Sequence, residues 1–230
     1  MSKKALVLLS GGIDSTTCLA IAVNTYGADN VLALSVYYGQ RHDKEIMAAD
    51  KVSEYYGVHH VTIDLSMAFS YSNSPLLSKS TKVIKHESYA EQLAKLGGQG
   101  TVDTYVPFRN GLFLAYATAV AVSVGAKEVY YGAHADDAAG RAYPDCTPEF
   151  YKGMDEAIYY GSGEACHLVA PLLFMSKAQV IKKGLELKAP YKLTWSCYEG
   201  GDKPCGTCGT CVDRTKAFEA NGIKDPAMEE

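Results

Sequence analysis

Leu6-Val7-Leu8-Leu9-Ser10-Gly11-Gly12-Ile13-Asp14-Ser15-Thr16-Thr17 is the stretch from which the rest of the chain can be read. An apolar, strand-like run stops at two glycines, and a helix-like run over 16–25 follows. Without Cβ atoms, Gly11 and Gly12 permit unusual dihedrals and close approach of a ligand to the backbone. Ser10, Ser15 and Thr16 add hydroxyls, and the first N–H groups of a helix lack intrahelical partners. Together with the positive end of the helix dipole, these donors suit a phosphate or pyrophosphate. The loop has no Lys, so it is not G-x-x-x-x-G-K-[ST], and it does not read G-x-G-x-x-G. Without a ligand, the same residues make a plain strand-to-helix turn with Asp14 or Ser15 as N-cap.

Working outward, strand-like runs at 4–9, 30–38, 58–65, 128–133 and 167–173 alternate with helix-like runs at 16–25, 43–56, 111–124, 147–160 and 176–187. The near-continuous apolar character of 30–38 suits a parallel strand covered on both faces. Ile46, Ala49, Val52 and Tyr56 recur at helical spacing before Gly57, and Ser176 with Gln179 forms a capping box. Such alternation implies βαβ crossovers. The expected fold class is α/β, an open, mostly parallel five-stranded sheet with helices on both faces. Ligands of such sheets sit outside the carboxyl ends of the strands. The polar clusters 10–15, Gln40-Arg41-His42 and 134–145 fall there, and Pro107-Phe108-Arg109-Asn110, before a helix, can face the same crevice. Residues 66–104 break the alternation. They read as an insertion with one short helix near 89–96, either a lid or a solvated loop. The expected organisation is a domain over 1–190 carrying this insertion, then a distinct segment over 191–230.

A chain of 230 residues supports one well-buried core, and its 47% apolar and 21% charged content is ordinary for a globular protein. A net charge of −4 and a pI near 5.9 argue against a broad electrostatic grip on nucleic acid. The longest mostly apolar run, 113–126, is interrupted by Tyr116, Thr118 and Ser123 and falls short of the roughly 20 residues that span a bilayer. Seven cysteines without a secretory pattern favour thiols or metal ligands over disulfides and a cytoplasmic setting. Four of them, Cys197, Cys205, Cys208 and Cys211, are spaced C-x7-C-x2-C-x2-C, with Gly206 and Gly209 inside the short loops. That set matches a closed tetrahedral zinc site, structural because no coordination position stays open. Four thiolates also hold iron–sulfur clusters, and free thiols are the third reading. Cys18 reads as a core residue, while Cys146 lies near the crevice.

Ser10-Gly11-Gly12-Ile13-Asp14-Ser15 resembles the S-G-G-x-D-S signature of the PP-loop ATP pyrophosphatases, which adenylylate a carbonyl or carboxylate oxygen and release pyrophosphate. Over nearly its whole length the chain resembles the 7-cyano-7-deazaguanine synthase (QueC) family. The likeness rests on the 10–17 block, on Tyr38-Gly39-Gln40-Arg41-His42, on Tyr105-Val106-Pro107-Phe108-Arg109-Asn110, and on Asp136-Asp137-Ala138-Ala139-Gly140-Arg141-Ala142-Tyr143-Pro144-Asp145-Cys146. It continues in Ser196-Cys197-Tyr198, the later cysteines, Arg214, Ala217-Phe218, Gly222 and Asp225-Pro226. The insertion carries little of it.

The resemblance implies an adenine nucleotide alpha hydrolase-like, Rossmann-like fold with a small C-terminal zinc-binding segment. It implies conversion of 7-carboxy-7-deazaguanine, ammonia and ATP to the 7-nitrile by a homodimer in queuosine biosynthesis, with no nucleic-acid or membrane partner. ATP would lie along Leu8, Leu9, Ser10, Gly11, Gly12, Ile13, Asp14, Ser15, Thr16 and Thr17. Asp14 would orient the loop or help hold Mg2+, and Arg41 and Arg109 would bind the substrate carboxylate or phosphate. Asp136, Asp137 or Asp145 would meet the guanine-like edge, with Tyr143 or Phe108 stacking on the ring. Asp14 and Arg109 are the expected catalytic pair. The alternatives are a PP-loop tRNA thiolase with an iron–sulfur cluster, a variant that stops at the 7-amide, and a non-catalytic nucleotide sensor.

Overall fold

Five strands, β1 (Ala5–Leu8), β2 (Val31–Tyr37), β3 (His59–Asp64), β4 (Glu128–Tyr130) and β5 (His167–Val169), form one sheet in the order β3-β2-β1-β4-β5. Every neighbouring pair is parallel; Ala5 of β1 sits between Val31 of β2 and Glu128 of β4. The computed structural model describes residues 3–228. The helices are α1 (Ile13–Tyr26), α2 (Lys44–Tyr56), α3 (Tyr89–Lys95), α4 (Arg109–Ser123), α5 (Ala135–Ala138), α6 (Pro148–Gly161), α7 (Lys177–Glu186) and α8 (Gly209–Glu219). No helix among the described residues is long and apolar enough to cross a membrane.

Alternation of side chains along the central strands builds a core on each face. Ala5, Val7 and Leu9 meet Cys18 and Leu19 of α1, Val52 of α2, Ile181 of α7 and Phe218 of α8. Leu6, Leu32 and Leu34 meet Leu114, Ala117 and Ala121 of α4 and Ile158 of α6. Each fully buried Leu or Val contributes about 1.5–3 kcal/mol relative to exposure. β2 is buried along six of its seven residues, whereas β3, at the sheet edge, has no fully buried position. The chain runs outward from β1 to β3 and then returns to place β4 on the other side of β1. The loops leaving β1 and β4 therefore diverge, which opens a crevice at their carboxyl ends.

The alternation anticipated from sequence holds, with informative departures. α1 starts at Ile13 rather than 16, because Gly12, not Asp14 or Ser15, is its N-cap. β4 and β5 end sooner than their apolar runs, since 131–133 leave the sheet to line the crevice and 170–173 turn away with Leu172 and Leu173 in the cores. The 134–145 loop folds into α5 and two 3-10 turns. α8 had no sequence signal, its apolar positions being only Cys211, Val212 and the Ala217-Phe218 pair.

Residues 66–104 are anchored by a few buried side chains between exposed stretches. Phe69, Leu76 and Leu77 join Tyr38 and Val106 in a local core, and Leu93 and Val102 join that of α4. Ser88 and Glu91 form a capping box that starts α3. The segment is strapped down by an antiparallel bridge between Gln40 and Leu77 and by Ser78 donating its N–H to the Gly39 carbonyl at 2.8 Å.

Candidate active site

The Ser10–Ser15 turn is held by its own hydroxyls. Ser15 Oγ donates to the Gly12 carbonyl at 3.2 Å and accepts the Ser10 N–H at 3.1 Å, with Ser10 Oγ 3.0 Å away. Gly11 sits at φ +83°, and a Cβ there would lie 2.2 Å from the Glu45 carbonyl oxygen and 2.7 Å from the Ala49 nitrogen. The first turn of α2 is thus seated on the loop, and only glycine permits it. From the other side, Trp195 donates its N–H to the Gly11 carbonyl at 2.9 Å. The Thr16 N–H is the first of α1 to find an intrahelical acceptor, Gly12, so the preceding N–H groups remain at the open helix terminus.

The loop opens into a crevice of about 680 Å3, within the range of small-molecule sites. Asp14, His134, Asp137 and Lys177 form one charge network on its floor. Lys177 Nζ lies 2.6 and 2.5 Å from the two Asp14 oxygens and 3.4 Å from His134 Nε2, which is 3.2 Å from Asp137. Burial alone would raise the Asp14 carboxyl, but Lys177 and then His134 outweigh it and hold it below the usual carboxylate range. Opposite, Arg109 donates to the Tyr38 hydroxyl at 3.2 Å, its guanidinium 5.1 Å from that ring's centre. Glu45 lines the same space within reach of the Arg109 charge, and burial pushes its carboxyl up to about 7, opposed by that charge. Tyr89 from the insertion and Tyr198 from the C-terminal segment share a hydroxyl hydrogen bond that closes one wall. The Tyr131 hydroxyl and His134 Nδ1, both on the lining, are buried without a partner.

The sequence-derived residues divide sharply. Leu8, Leu9, Ser10, Gly12, Asp14, Ser15, Arg109, Asp136 and Tyr143 line the crevice. Gly11, Ile13, Thr16 and Thr17 lie behind it: Ile13 is core, and Thr17 pairs its hydroxyl with that of Tyr191 at 2.7 Å. Asp14 and Ser15 stand in the open first turn of α1, whereas Thr17 lies further in and its hydroxyl is taken up by the Ile13 carbonyl and Tyr191. Arg41 is not brought to the crevice; its guanidinium binds the Pro75 and Lys82 carbonyls and fastens the insertion. Neighbouring residues of an extended segment face opposite ways, so with Gln40 inward Arg41 turns out. Asp145 is 3% exposed and accepts the Asn110 N–H at 2.9 Å, serving the open end of α4 rather than the crevice. Its carboxyl is raised by burial, opposed by that hydrogen bond and by Arg109. Asp136 accepts the Lys177 N–H at 2.7 Å, and Tyr143 shares its hydroxyl with Thr104 at 2.6 Å. Phe108 stands 60% exposed, beside Phe150 and off the lining.

Lys177, Glu45 and Tyr89 escaped the sequence reading, while His134 and Tyr198 entered it only within the 134–145 cluster and the Ser196-Cys197-Tyr198 block. Lys177 had a usable signal, since it opens a capped helix after the last strand, where ligands gather.

The four cysteine sulfurs lie within 4.8 Å of one another, three of the residues buried and Cys205 half-buried. Backbone N–H groups of Cys205 and Cys208 donate to Cys197 and Cys205 sulfurs at 3.3 Å. Cys208 caps α8 and Cys211 lies in its first turn, where the helix dipole favours thiolate. The cluster could hold a metal ion. It is tied to the crevice through His42, whose Nε2 is 3.0 Å from the Cys197 carbonyl, and through Arg214, which grips Asp225 bidentately and contacts Thr194 and Ser196.

A strand–glycine turn–helix unit at the switch point of a parallel sheet, facing cations and carboxylates from five other elements, defines an α/β protein of the PP-loop kind. The family model described as "Queuosine biosynthesis protein QueC" matches residues 4–222, and the chain belongs to that family. It is 43% identical to a 7-cyano-7-deazaguanine synthase of Archaeoglobus fulgidus, over 99% of this chain and 90% of the relative. It is 40% identical to the enzyme of the same name from Psychromonas ingrahamii, over 100% and 99% of the two chains. Among solved structures, the U34-tRNA thiolase NcsA of Methanococcus maripaludis with its [4Fe-4S] cluster shares the fold, with a TM-score of 0.51 at 18% identity over 96% of this chain and 67% of that one.

Proposed function

We propose that the protein makes 7-cyano-7-deazaguanine from 7-carboxy-7-deazaguanine, ammonia and ATP, in queuosine biosynthesis. The observation that carries this reading is the placement of the S-G-G-I-D-S turn at the open end of α1, facing Arg109 across one crevice. A carboxylate is inert to ammonia and needs activation. Its oxygen attacks the α-phosphorus of ATP, the bridging bond to the β-phosphorus breaks, and pyrophosphate leaves. Ammonia then displaces AMP to give the amide. A second adenylylation, on the amide oxygen, permits its departure with AMP and leaves the nitrile.

In this scheme Ser10, Gly12, Ser15 and the first N–H groups of α1 hold phosphate, with Lys177 beside them. Arg109 binds the substrate carboxylate or a phosphate, each of which a guanidinium grips bidentately. Five carboxylates (Asp14, Glu45, Asp136, Asp137, Asp213) face three fixed cations (Arg109, Lys177, Lys216) on the lining. That balance suits a polyphosphate that arrives with Mg2+, which neutralises phosphate charge when bound. Asp14 and Asp136 are the candidate holders. Tyr143, Tyr89 and Tyr198 offer aromatic surface for a deazapurine.

The cysteine sulfurs, within 4.8 Å of one another, fit one tetrahedral ion, whereas a cubane cluster puts each thiolate on a different iron and spreads them further. We therefore assign zinc, structural because four protein ligands fill its sphere. The reading also carries a cytoplasmic homodimer, testable by fractionation and sedimentation. Mass spectrometry of products from 7-carboxy-7-deazaguanine, ATP, Mg2+ and ammonium tests the reaction. Nitrile with AMP and pyrophosphate supports it, accumulation of amide marks a half-way variant, and no consumption of ATP refutes it.

A further inference from the structure

We propose that Glu45 is a catalytic residue, the base that takes protons from nitrogen in both halves of the reaction. The proposal deepens the synthase reading and rests on it.

Its ground is a difference among the carboxyls of the crevice. Asp14 is neutralised by Lys177, Asp137 lies on His134, Asp136 accepts the Lys177 N–H, and the Tyr89 backbone N–H and the Lys216 charge favour the anion of Asp213. Among the described residues, Glu45 is the one of these five lining carboxyls with neither a hydrogen bond nor an ion pair and no N–H drawing it toward the anion. It stands in the first turn of α2, and its own carbonyl is the group packed against Gly11. Its backbone is thereby fixed to the phosphate loop while its side chain enters the crevice. An acidic residue in a first turn is ordinarily favoured as the anion by the helix dipole. Here desolvation wins, opposed by the Arg109 charge, and the carboxyl stands near neutrality. Arg109, from α4, and Tyr38, beyond β2, are the ionisable groups electrostatically coupled to it. A substrate carboxylate gripped by Arg109 lies beside this unpartnered group.

The proton balance supplies the task. Adenylylation of the carboxylate moves no proton: one O–P bond forms and one breaks. Amide formation from ammonium takes two protons off nitrogen, one to free the lone pair and one after the C–N bond forms, while the C–O pair leaves with AMP. In the second round the amide oxygen departs on AMP, and nitrogen gives up its two protons as the triple bond forms. Each round therefore requires an acceptor after activation and none before it. A base whose pKa lies near the working pH serves best.

The test uses the metal-loaded full-length protein. Glu45→Gln should keep exchange of labelled pyrophosphate into ATP that depends on 7-carboxy-7-deazaguanine without ammonium, because activation needs no base. Nitrile formation should fall by about 10²–10⁴-fold. The acid limb of kcat/KM near pH 7 should vanish, and Glu45→Asp should restore part of the rate. Exchange and turnover falling together in a variant that melts like the wild type would assign Glu45 to binding and overturn the proposal, as would full turnover. A wild type that makes neither amide nor nitrile refutes the synthase reading itself, and full turnover in the variant refutes only the role of Glu45.

Discussion

Gly11→Ala tests whether contact between the phosphate loop and α2 is what positions the crevice. The new methyl would sit 2.2 Å from the Glu45 carbonyl oxygen and 2.7 Å from the Ala49 nitrogen. Both are backbone atoms that cannot rotate aside, so the start of α2 must move. An L-residue held in the left-handed region costs about 1–2 kcal/mol, and overpacking adds about 1–3. The expected loss of about 2–5 kcal/mol lowers the melting temperature by about 4–20 °C in a chain of this size. Gly57→Ala is the control. Gly57 closes the same helix at φ +66° with nothing within 4 Å, so it bears only the backbone cost. The two variants should be compared by thermal unfolding and by ATP affinity. Gly11→Ala should melt below Gly57→Ala and bind ATP more weakly, since relieving the clash with α2 distorts the turn whose N–H groups are proposed to hold the phosphates. Equal melting of the two, with unchanged affinity for ATP, would refute the reasoning.

Arg214→Met should cost about 3–5 kcal/mol, because it strands the 1%-exposed Asp225 carboxylate; adding Asp225→Leu should recover part, and denaturant titration of both checks this. Lys177→Met removes the main force lowering the Asp14 carboxyl. In the wild type that group adds stability above its unfolded pKa, lost as pH falls through the folded one. The variant should therefore unfold at a higher pH on acid titration, and an unchanged midpoint would contradict the Asp14–Lys177 pairing. Elemental analysis should find about one zinc per chain, released as a thiol reagent consumes the four cysteines, and no labile sulfide. Iron and sulfide there would reverse the assignment.

How much of this was written in the chain varies with the kind of information. The order of strands and helices was legible because periodicity, caps and glycine stops act over neighbouring residues, as in the Ser176 and Gln179 capping box. The S-G-G-I-D-S turn was legible for the same reason, being one local structure. Arg41 was not, since which side of an extended segment faces the crevice depends on how the insertion packs against it. Asp145 was assigned to the substrate because its chemistry suits a guanine edge, but the open end of α4 claims it.

The sequence by itself determined the α/β class, the glycine turn between β1 and α1, the thiol cluster and, through its motifs, the family. Only the tertiary structure decided that Asp14, Glu45, Arg109, His134 and Lys177 share one crevice, that the insertion forms its wall, and that α8 ties the thiols to its rim. The physical reason is the sheet order. Side chains far apart in the chain meet because successive crossovers return their loops to the carboxyl ends of β1 and β4, and no local pattern records that return.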